Sequence, residues 1–307
     1  MKDYLSFSFL IMLSCIIYSG RTQDISKNTP GEKTFPEVTI PRTELRMLHS
    51  AVINRDFEIY IKLPYSYYTG KSIYPVVYFT DGNRSFPLVE NTSFILEFPK
   101  GKVKETIVIG IGYPSDDLSD WARLRTYDLT PTIVPAVENS TKNVLIQYTG
   151  NKNIIVKSGG SSEFVKFIAD ELIPFIEANY RIDTNKRMLA GYSFGGLFSL
   201  FFMLHRPGVF SSYFAGSPSL DYDQGVIFNY EKDYALVHRD LKGRLFMTMG
   251  GLEGESVIRD MTDLKDSLMS RHYEGLEIET HIFEGETHPS CYPAAVSRAF
   301  RFLQALP

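Results

Sequence analysis

The sequence predicts an α/β fold in which a mainly parallel sheet is covered by helices on both faces and preceded by antiparallel strands. Short, continuous apolar segments, typical of buried strands, alternate along the chain with segments whose apolar residues recur at helical spacing. Ahead of them, residues 43–64 alternate apolar and polar side chains, as half-buried antiparallel strands do. The 307 residues suffice for one large domain of this class.

The elements are predicted in the following order. Half-buried strands are expected within 43–64, where the apolar members of the alternation are Val52, Phe57, Ile59 and Ile61. Apolar runs predict buried strands at 74–79, 105–111, 187–190, 211–215, 245–249 and 276–283. Helical spacing predicts a helix from Ser162, with a kink at Pro174, and further helices at 197–204 and 293–306. Residues 112–160 are predicted to be mostly loop, with a polar insertion at 139–157 lying over one face.

Residues 1–20 are predicted to be a secretory signal peptide. Lys2 precedes an apolar stretch over 4–18 that is too short to span a bilayer comfortably, and Ser19-Gly20 ends it. An alternative interpretation is a lipoprotein leader with a lipid anchor at Cys15. Both predict an exported protein that is periplasmic, secreted or held at the cell surface. Residues 21–42 are then a flexible tether and 43–307 the folded domain.

Composition and charge exclude several classes of function. The formal net charge of −4 comes without the concentrated basic face that nucleic-acid binding requires. No His, Cys or Asp cluster has metal-ligand spacing, so neither a metal nor another cofactor is predicted. Cys15 and Cys291 are the only cysteines, and removal of a leader would leave Cys291 without an intrachain disulfide partner.

The segment Gly191-Tyr192-Ser193-Phe194-Gly195-Gly196 carries the strongest functional signal. It lies between a predicted strand and a predicted helix, which is the context in which Gly-x-Ser-x-Gly forms a nucleophile elbow. Small residues on either side of the serine let strand and helix pack closely, and the sharp turn exposes the serine oxygen at the N-terminus of the helix. Together with the predicted strand order, this motif indicates an α/β-hydrolase fold with Ser193 as the nucleophile.

A nucleophilic serine needs a base and an orienting carboxylate, which in this fold follow it in the order Asp or Glu, then His. His288 lies on the loop after the last predicted strand and fits the base. The strand at 245–249 is followed by two carboxylates, Glu253 and Glu255. Glu253 is favoured because it lies in a glycine-rich turn, whereas Glu255 can open the next helix, where an acidic side chain is stabilised by the helix dipole.

The oxyanion hole of this fold uses two backbone N–H groups. The first belongs to the residue after the nucleophile, here Phe194. The second is expected from the loop after the strand at 74–79, where we assign Gly82. The neighbouring Asp81 is interpreted as a hydrogen-bond acceptor that fixes this loop.

These residues together resemble the family of α/β-hydrolases known as "Putative esterase", and within it the exported ferri-siderophore trilactone esterases. The resemblance extends from about residue 57 to 302 and is carried by five ordered motifs, at 78–83, 110–114, 125–131, 191–196 and 215–220. It implies that Ser193 and His288 act as nucleophile and base. Glu253 lies where related mycolyltransferases have a catalytic glutamate, whereas some siderophore esterases are described with a Ser–His pair alone.

The resemblance implies a small-molecule ester as substrate. Arg125, Tyr113 and Trp121 are predicted to contact it. Charge and stacking would suit an anionic or catecholate group. The alternative for Arg125 is a structural ion pair with Asp128 or another loop carboxylate. The protein is predicted to be an exported serine esterase, and siderophore esters and carbohydrate esters are the two candidate substrate classes. An acyltransferase using the same site is the alternative, and a non-catalytic binding protein is a second one.

Overall fold

The structure is a computed structural model that describes residues 38–97 and 103–303. These residues contain a mixed sheet of eight strands. The sheet belongs to one compact unit of the chain, Pro41–Pro307. The predicted signal peptide, the lipid-anchor candidate Cys15 and nearly all of the tether lie outside the described residues.

The strand order confirms the predicted fold class. The strands are β1 Thr43–Ser50, β2 Arg55–Lys62, β3 Tyr74–Phe79, β4 Ile107–Gly112, β5 Ile182–Tyr192, β6 Ser212–Gly216, β7 Asp240–Gly250 and β8 Glu274–Phe283. They lie in the order β1-β2-β4-β3-β5-β6-β7-β8. Strand β2 is antiparallel to both of its neighbours, β1 and β4, whereas the six strands from β4 to β8 in this order are parallel to one another.

Helices cover both faces of the sheet. Along β3, Val77 and Phe79 face a core that also contains side chains of α1 and α9, whereas Val76 and Tyr78 face the larger core built with α4 to α8. The helices are α1 Gly82–Glu97, α2 Leu118–Asp128, α3 Pro135–Thr149, α4 Ser161–Lys166, α5 Ile173–Asn179, α6 Phe194–His205, α7 Val226–Val237, α8 Glu255–Ser270 and α9 Tyr292–Leu303. Among these described helices, none combines the length and apolar character needed to cross a membrane.

The prediction of loop over residues 112–160 is wrong, because α2 and α3 lie there. Both helices bury few apolar residues, Leu145 being the buried one in α3, so their apolar periodicity is weak. They are marked instead by their ends. The Asp117 side chain accepts a hydrogen bond from the Ser119 N–H at the start of α2. Helix α3 begins with Pro135 and is followed by Gly150, which has a φ of 70°.

The segment from Ser161 to Asn179, for which the sequence predicts a helix kinked at Pro174, changes its hydrogen-bonding pattern next to this proline. A π-helical turn, Phe167–Leu172, separates α4 from α5, and Pro174 lies in the first turn of α5. Proline has no N–H to donate to the preceding turn, so regular α-helical bonding is interrupted at this point.

A buried ion pair fixes the C-terminal end of α1. Lys62 at the end of β2 is 1% exposed, and its ammonium group lies 2.8 Å from the Glu97 carboxylate, whose side chain is 5% exposed. The Thr106 N–H, which precedes β4, also donates to Glu97 over 3.0 Å. Helix α1 is therefore anchored to two strands at the end opposite Gly82, its first residue.

Candidate active site

Ser193 occupies a strained turn between β5 and α6. Its φ of 60° and ψ of −119° lie in a region that residues other than glycine rarely adopt. Three backbone hydrogen bonds hold it there. The Ser193 N–H donates to the Gly216 carbonyl over 2.9 Å, and the Ser193 carbonyl accepts from the Leu197 N–H over 3.0 Å and from the Ser219 N–H over 3.3 Å. The geometry is that of a nucleophile elbow, as the motif predicts.

Two glycines of the motif are required by close contacts, one with backbone and one with a side chain. A β-carbon on Gly191 would lie 2.1 Å from the Gly195 carbonyl oxygen, so β5 and α6 approach more closely than any side chain permits. A β-carbon on Gly195 would lie 2.3 Å from the Thr80 hydroxyl oxygen and 3.7 Å from the Asp81 carboxylate. The second contact brings the N-terminus of α6 against the turn that opens α1.

Glu253 and His288 form a hydrogen-bonded pair. The His288 Nδ1 atom lies 2.6 Å from the Glu253 Oε2 atom, and the Gly250 N–H donates to Oε1 over 2.6 Å. The Glu253 side chain is 8% exposed and that of His288 is 44% exposed. Because a carboxylate only accepts, Nδ1 carries the shared proton and Nε2 is left with a lone pair facing away from Glu253. Glu255 is the first residue of α8 and is exposed.

His288 lies beside the elbow. Its ring centroid is 5.2 Å from that of Tyr192, the residue before Ser193. Within the described part of the chain the Ser193 hydroxyl forms no hydrogen bond to another side chain. The structure thus joins two of the three predicted catalytic residues directly and places His288 against the residue before Ser193, the third.

The two predicted oxyanion donors are the first residues of two neighbouring helices. Gly82 begins α1 and Phe194 begins α6, and the N–H groups of a first helical turn have no partner within their own helix. Asp81, with a φ of 59°, accepts through its carbonyl from the Arg84 and Ser85 N–H groups and so starts α1. Two helix N-termini side by side form a favourable place for developing negative charge.

Arg125 is held by the Asp81 carboxylate. Its Nε and one terminal nitrogen lie 2.8 and 3.0 Å from the two carboxylate oxygens. Burial disfavours the cation, but Asp81 outweighs it, and the pKa of Arg125 lies above its ordinary value. The guanidinium carbon is also 5.3 Å from the Phe194 ring centroid. This bidentate pair matches the structural alternative raised for Arg125, with Asp81 as the loop carboxylate, while Asp128 pairs with Arg55.

The other two predicted substrate contacts are placed differently. Trp121 is half-buried and stacks beneath the Arg84 guanidinium, whose carbon lies 4.4 Å from its ring centroid. It lines a cavity of about 320 Å³ together with Asn83, Arg84, Ser115 and Asp116. Tyr113 is 1% exposed and packs against Phe57, so its side chain belongs to the core. Burial raises the pKa of its hydroxyl.

Comparison with known proteins identifies the family. The model of the family described as "Putative esterase" matches residues 50–244. The chain belongs to this esterase family. The ferri-bacillibactin esterase BesA of Bacillus subtilis is 30% identical over 271 residues, which are 86% of this chain and 90% of BesA. The siderophore enterobactin esterase of Emericella nidulans is 34% identical over 154 residues, 50% of this chain and 48% of that one.

Solved structures support the same assignment. The BES protein of Bacillus cereus superimposes with a TM-score of 0.73 at 26% identity, covering 89% of this chain and 100% of that one. The siderophore hydrolase EstB of Aspergillus nidulans shares the fold, with a TM-score of 0.68 at 21% identity over 88% of this chain and 98% of its own. This esterase is therefore a carboxylic-ester hydrolase with an α/β-hydrolase fold.

Two contacts of the esterase's site lie beyond the predicted triad. Ser217, which follows β6, donates its hydroxyl to Glu253 Oε1 over 2.7 Å. The Tyr192 hydroxyl donates to the main-chain carbonyl of His288. No sequence pattern marks either contact, because both join residues far apart in the chain. Within the described residues, no group of three or more His, Cys, Asp and Glu side chains is arranged to hold a metal ion.

Replacing Gly191 with alanine is expected to lower ester hydrolysis about 100-fold or more, because β5 and α6 must separate and Ser193 moves with them. The added methyl group also overpacks the turn, so the free energy of unfolding should fall by about 1–3 kcal/mol. Steady-state kinetics and chemical denaturation measure both effects.

Gly70→Ala is the matched control, because a β-carbon there would lie 3.4 Å from the Ser66 carbonyl, an ordinary contact. Wild-type kinetics in Gly191→Ala would show that the turn does not depend on this close approach.

Proposed function

We propose that this esterase is an exported serine hydrolase that cleaves carboxylic esters through an acyl-enzyme, with Ser193, His288 and Glu253 as its triad. The observation that carries the proposal is the 2.6 Å hydrogen bond from His288 to a buried Glu253 beside a serine held in a nucleophile elbow. Export is supported by the leader predicted over residues 1–20. Recovery of the intact chain only from the cytoplasm of its host would contradict export.

In the proposed reaction the Ser193 oxygen attacks the ester carbonyl while His288 Nε2 takes the hydroxyl proton. Glu253 holds the imidazole in the required tautomer and stabilises the imidazolium that forms. The Gly82 and Phe194 N–H groups donate to the oxyanion. His288 then protonates the leaving alcohol, and water repeats the cycle to release the acid and free Ser193. No cofactor takes part.

The substrate class that we propose first is a siderophore trilactone. Both relatives compared by sequence above, a ferri-bacillibactin esterase and a siderophore enterobactin esterase, are named for siderophore esters. In this chain, Arg84 and Trp121 line the cavity beside Asn83 and present a cation stacked on an aromatic ring. Arg84 forms no ion pair within residues 38–97 and 103–303. A negatively charged aromatic group would gain both charge attraction and stacking there, whereas Arg125 and Tyr113 would act by shaping the site.

A ferric tricatecholate trilactone is therefore expected to be hydrolysed with a higher kcat/KM than p-nitrophenyl acetate. Trp121→Ala should raise the KM for the trilactone about 10-fold, because stacking on an aromatic ring contributes about 1–2 kcal/mol. Its kinetics on p-nitrophenyl acetate, which is too small to fill the cavity, should change little.

Product analysis by mass spectrometry completes this experiment. Turnover of acetylated sugars in preference to the trilactone would contradict the siderophore assignment. Transfer of the acyl group to an added alcohol faster than to water would instead support an acyltransferase.

Ser193→Ala is expected to lower kcat for p-nitrophenyl esters by about 10⁴–10⁶-fold, because the nucleophile is lost. The variant should also lose covalent labelling by a fluorophosphonate reagent, which intact-mass measurement detects. Ser270→Ala, at the exposed end of α8, is the control and should react as the wild type does. Equal turnover by Ser193→Ala and wild type would remove Ser193 as nucleophile.

Glu253→Gln and Glu255→Gln distinguish the two carboxylates. Glu253→Gln should lower kcat by about 10³–10⁴-fold, because an amide neither fixes the imidazole tautomer nor stabilises the imidazolium. Glu255→Gln should leave kcat unchanged, since Glu255 is exposed on α8. Normal turnover by Glu253→Gln would reduce the site to a Ser–His pair.

A further inference from the structure

A compact hydrogen-bonded cluster supports the Glu253–His288 pair from the side opposite solvent. It consists of Tyr192, Ser217 and Cys291, of which Ser217 is 2% exposed and Cys291 fully buried. The Tyr192 hydroxyl lies 2.9 Å from the Ser217 hydroxyl and 2.9 Å from the Cys291 sulfur, and it also contacts the His288 carbonyl. Ser217 in turn lies 2.7 Å from Glu253 Oε1.

The acceptors determine where the protons of this cluster point. An ionised carboxylate only accepts, so the Ser217 proton is directed to Glu253. The His288 carbonyl likewise only accepts, so the Tyr192 proton is directed to it, and the Cys291 thiol is left to donate to the Tyr192 oxygen. The Ser217 and Tyr192 protons therefore both point to the Glu253–His288 pair. Burial is the main cause that raises the pKa of the Tyr192 hydroxyl, which therefore remains a neutral donor.

The two oxygens of Glu253 are consequently occupied separately. Oε1 accepts from Ser217 and from the Gly250 N–H, and Oε2 accepts from His288 Nδ1. A carboxylate fixed through one oxygen cannot rotate, so the other oxygen stays directed at the imidazole. His288 is held by Tyr192, the residue before Ser193, whose hydroxyl donates a hydrogen bond to the His288 main-chain carbonyl.

The backbone of Ser217 gives independent evidence for this role. Its φ of 35° lies in the left-handed region, which glycine adopts without penalty and serine does not. The side chain at this position makes a contact that glycine could not make, the hydrogen bond to Glu253. The strained backbone of Ser217 therefore coincides with a side chain whose hydroxyl binds Glu253.

We infer that Tyr192 and Ser217 are positioning residues that hold Glu253 and His288 in register with Ser193. The inference rests on the proposed function and names two residues outside the predicted triad, whose hydroxyl groups contact Glu253 or the main chain of His288.

Three variants test the inference. Tyr192→Phe removes one hydroxyl, while Ser217→Ala and Ser217→Gly remove the other, with and without a β-carbon at the strained φ. Each should lower kcat for p-nitrophenyl esters about 10- to 100-fold, because small displacements of catalytic groups are costly. The KM should stay unchanged. The double variant Tyr192→Phe/Ser217→Gly should lose less than the product of the single effects, since both belong to one network.

A matched control is Tyr78→Phe, which removes a buried hydroxyl that has no hydrogen-bond partner within the described residues. It should keep the wild-type kcat. Wild-type kcat in Tyr192→Phe and both Ser217 variants would overturn the inference. A loss confined to Ser217→Ala, with normal kcat in Ser217→Gly, would also overturn it, because the backbone and not the hydroxyl would then be responsible.

A proton NMR measurement separates this inference from the proposed function. The proton shared by His288 Nδ1 and Glu253 is expected to give a low-field signal in the folded wild-type protein, whether or not an ester is turned over. Loss of that signal in Tyr192→Phe or Ser217→Gly, with unchanged thermal unfolding, supports positioning even for a protein that hydrolyses no ester. An unchanged signal in these folded variants overturns positioning and leaves the hydrolase proposal standing.

Discussion

The site depends on the close approach of β5 to α6, which leaves no room for a side chain at Gly191. This approach lets the chain turn within a single residue, so Ser193 stands at the end of its strand with a helix N-terminus beside it. The strain at Ser193 is opposed by the hydrogen bonds from its N–H to Gly216 and from Leu197 to its carbonyl. The strained turn is therefore stabilised by the end of β6 and by the first turn of α6.

A hydrogen bond like that from the Ser193 N–H to Gly216 recurs at other strand ends along the carboxyl edge of the sheet. Just past each strand end, a main-chain N–H donates to the next strand: Thr80 to Ala190, Ser193 to Gly216, Ser217 to Thr248 and Gly251 to Phe283. Each of these strands is followed by a residue of the candidate site, in the order Asp81, Ser193, Ser217, Glu253 and His288. Parallel strands place such ends at one edge, and these four hydrogen bonds connect them in series.

Backbone strain is concentrated at three of these positions. Asp81, Ser193 and Ser217 all have positive φ and none is glycine. Each has a contact that compensates: the Arg125 ion pair for Asp81, the main-chain hydrogen bonds for Ser193 and the Glu253 carboxylate for Ser217. Conformations of this kind persist only where the surroundings determine them. Their occurrence at adjacent strand ends is consistent with a rigid site assembled before substrate arrives.

Sequence alone predicted what local patterns encode. Continuous apolar runs located the buried strands, and the elbow motif located Ser193. Helices α2 and α3 were not predicted because few of their residues are buried, so their apolar periodicity is weak. Only Asp117, Pro135 and Gly150, at or next to their ends, indicate them. Pairings between distant residues could not be deduced: Arg125 lies 44 residues from Asp81, and Ser217 lies 36 residues from Glu253. Only the folded chain decides which of several carboxylates such a side chain meets.

The commitment of Arg125 to Asp81 also constrains how this esterase recognises its substrate. A cation buried in a bidentate ion pair cannot leave it for a ligand without exposing Asp81 as an unpaired buried charge, which is costly. In the proposed function, selectivity for the substrate comes instead from the cavity where Arg84 stacks on Trp121 next to Asn83. Trp121 also lies 4.9 Å from the Arg125 guanidinium carbon, so the cavity adjoins the Arg125–Asp81 pair. Arg84 is exposed and takes no part in that pair, so the charge at this position can vary independently of the groups that hold Ser193, Glu253 and His288.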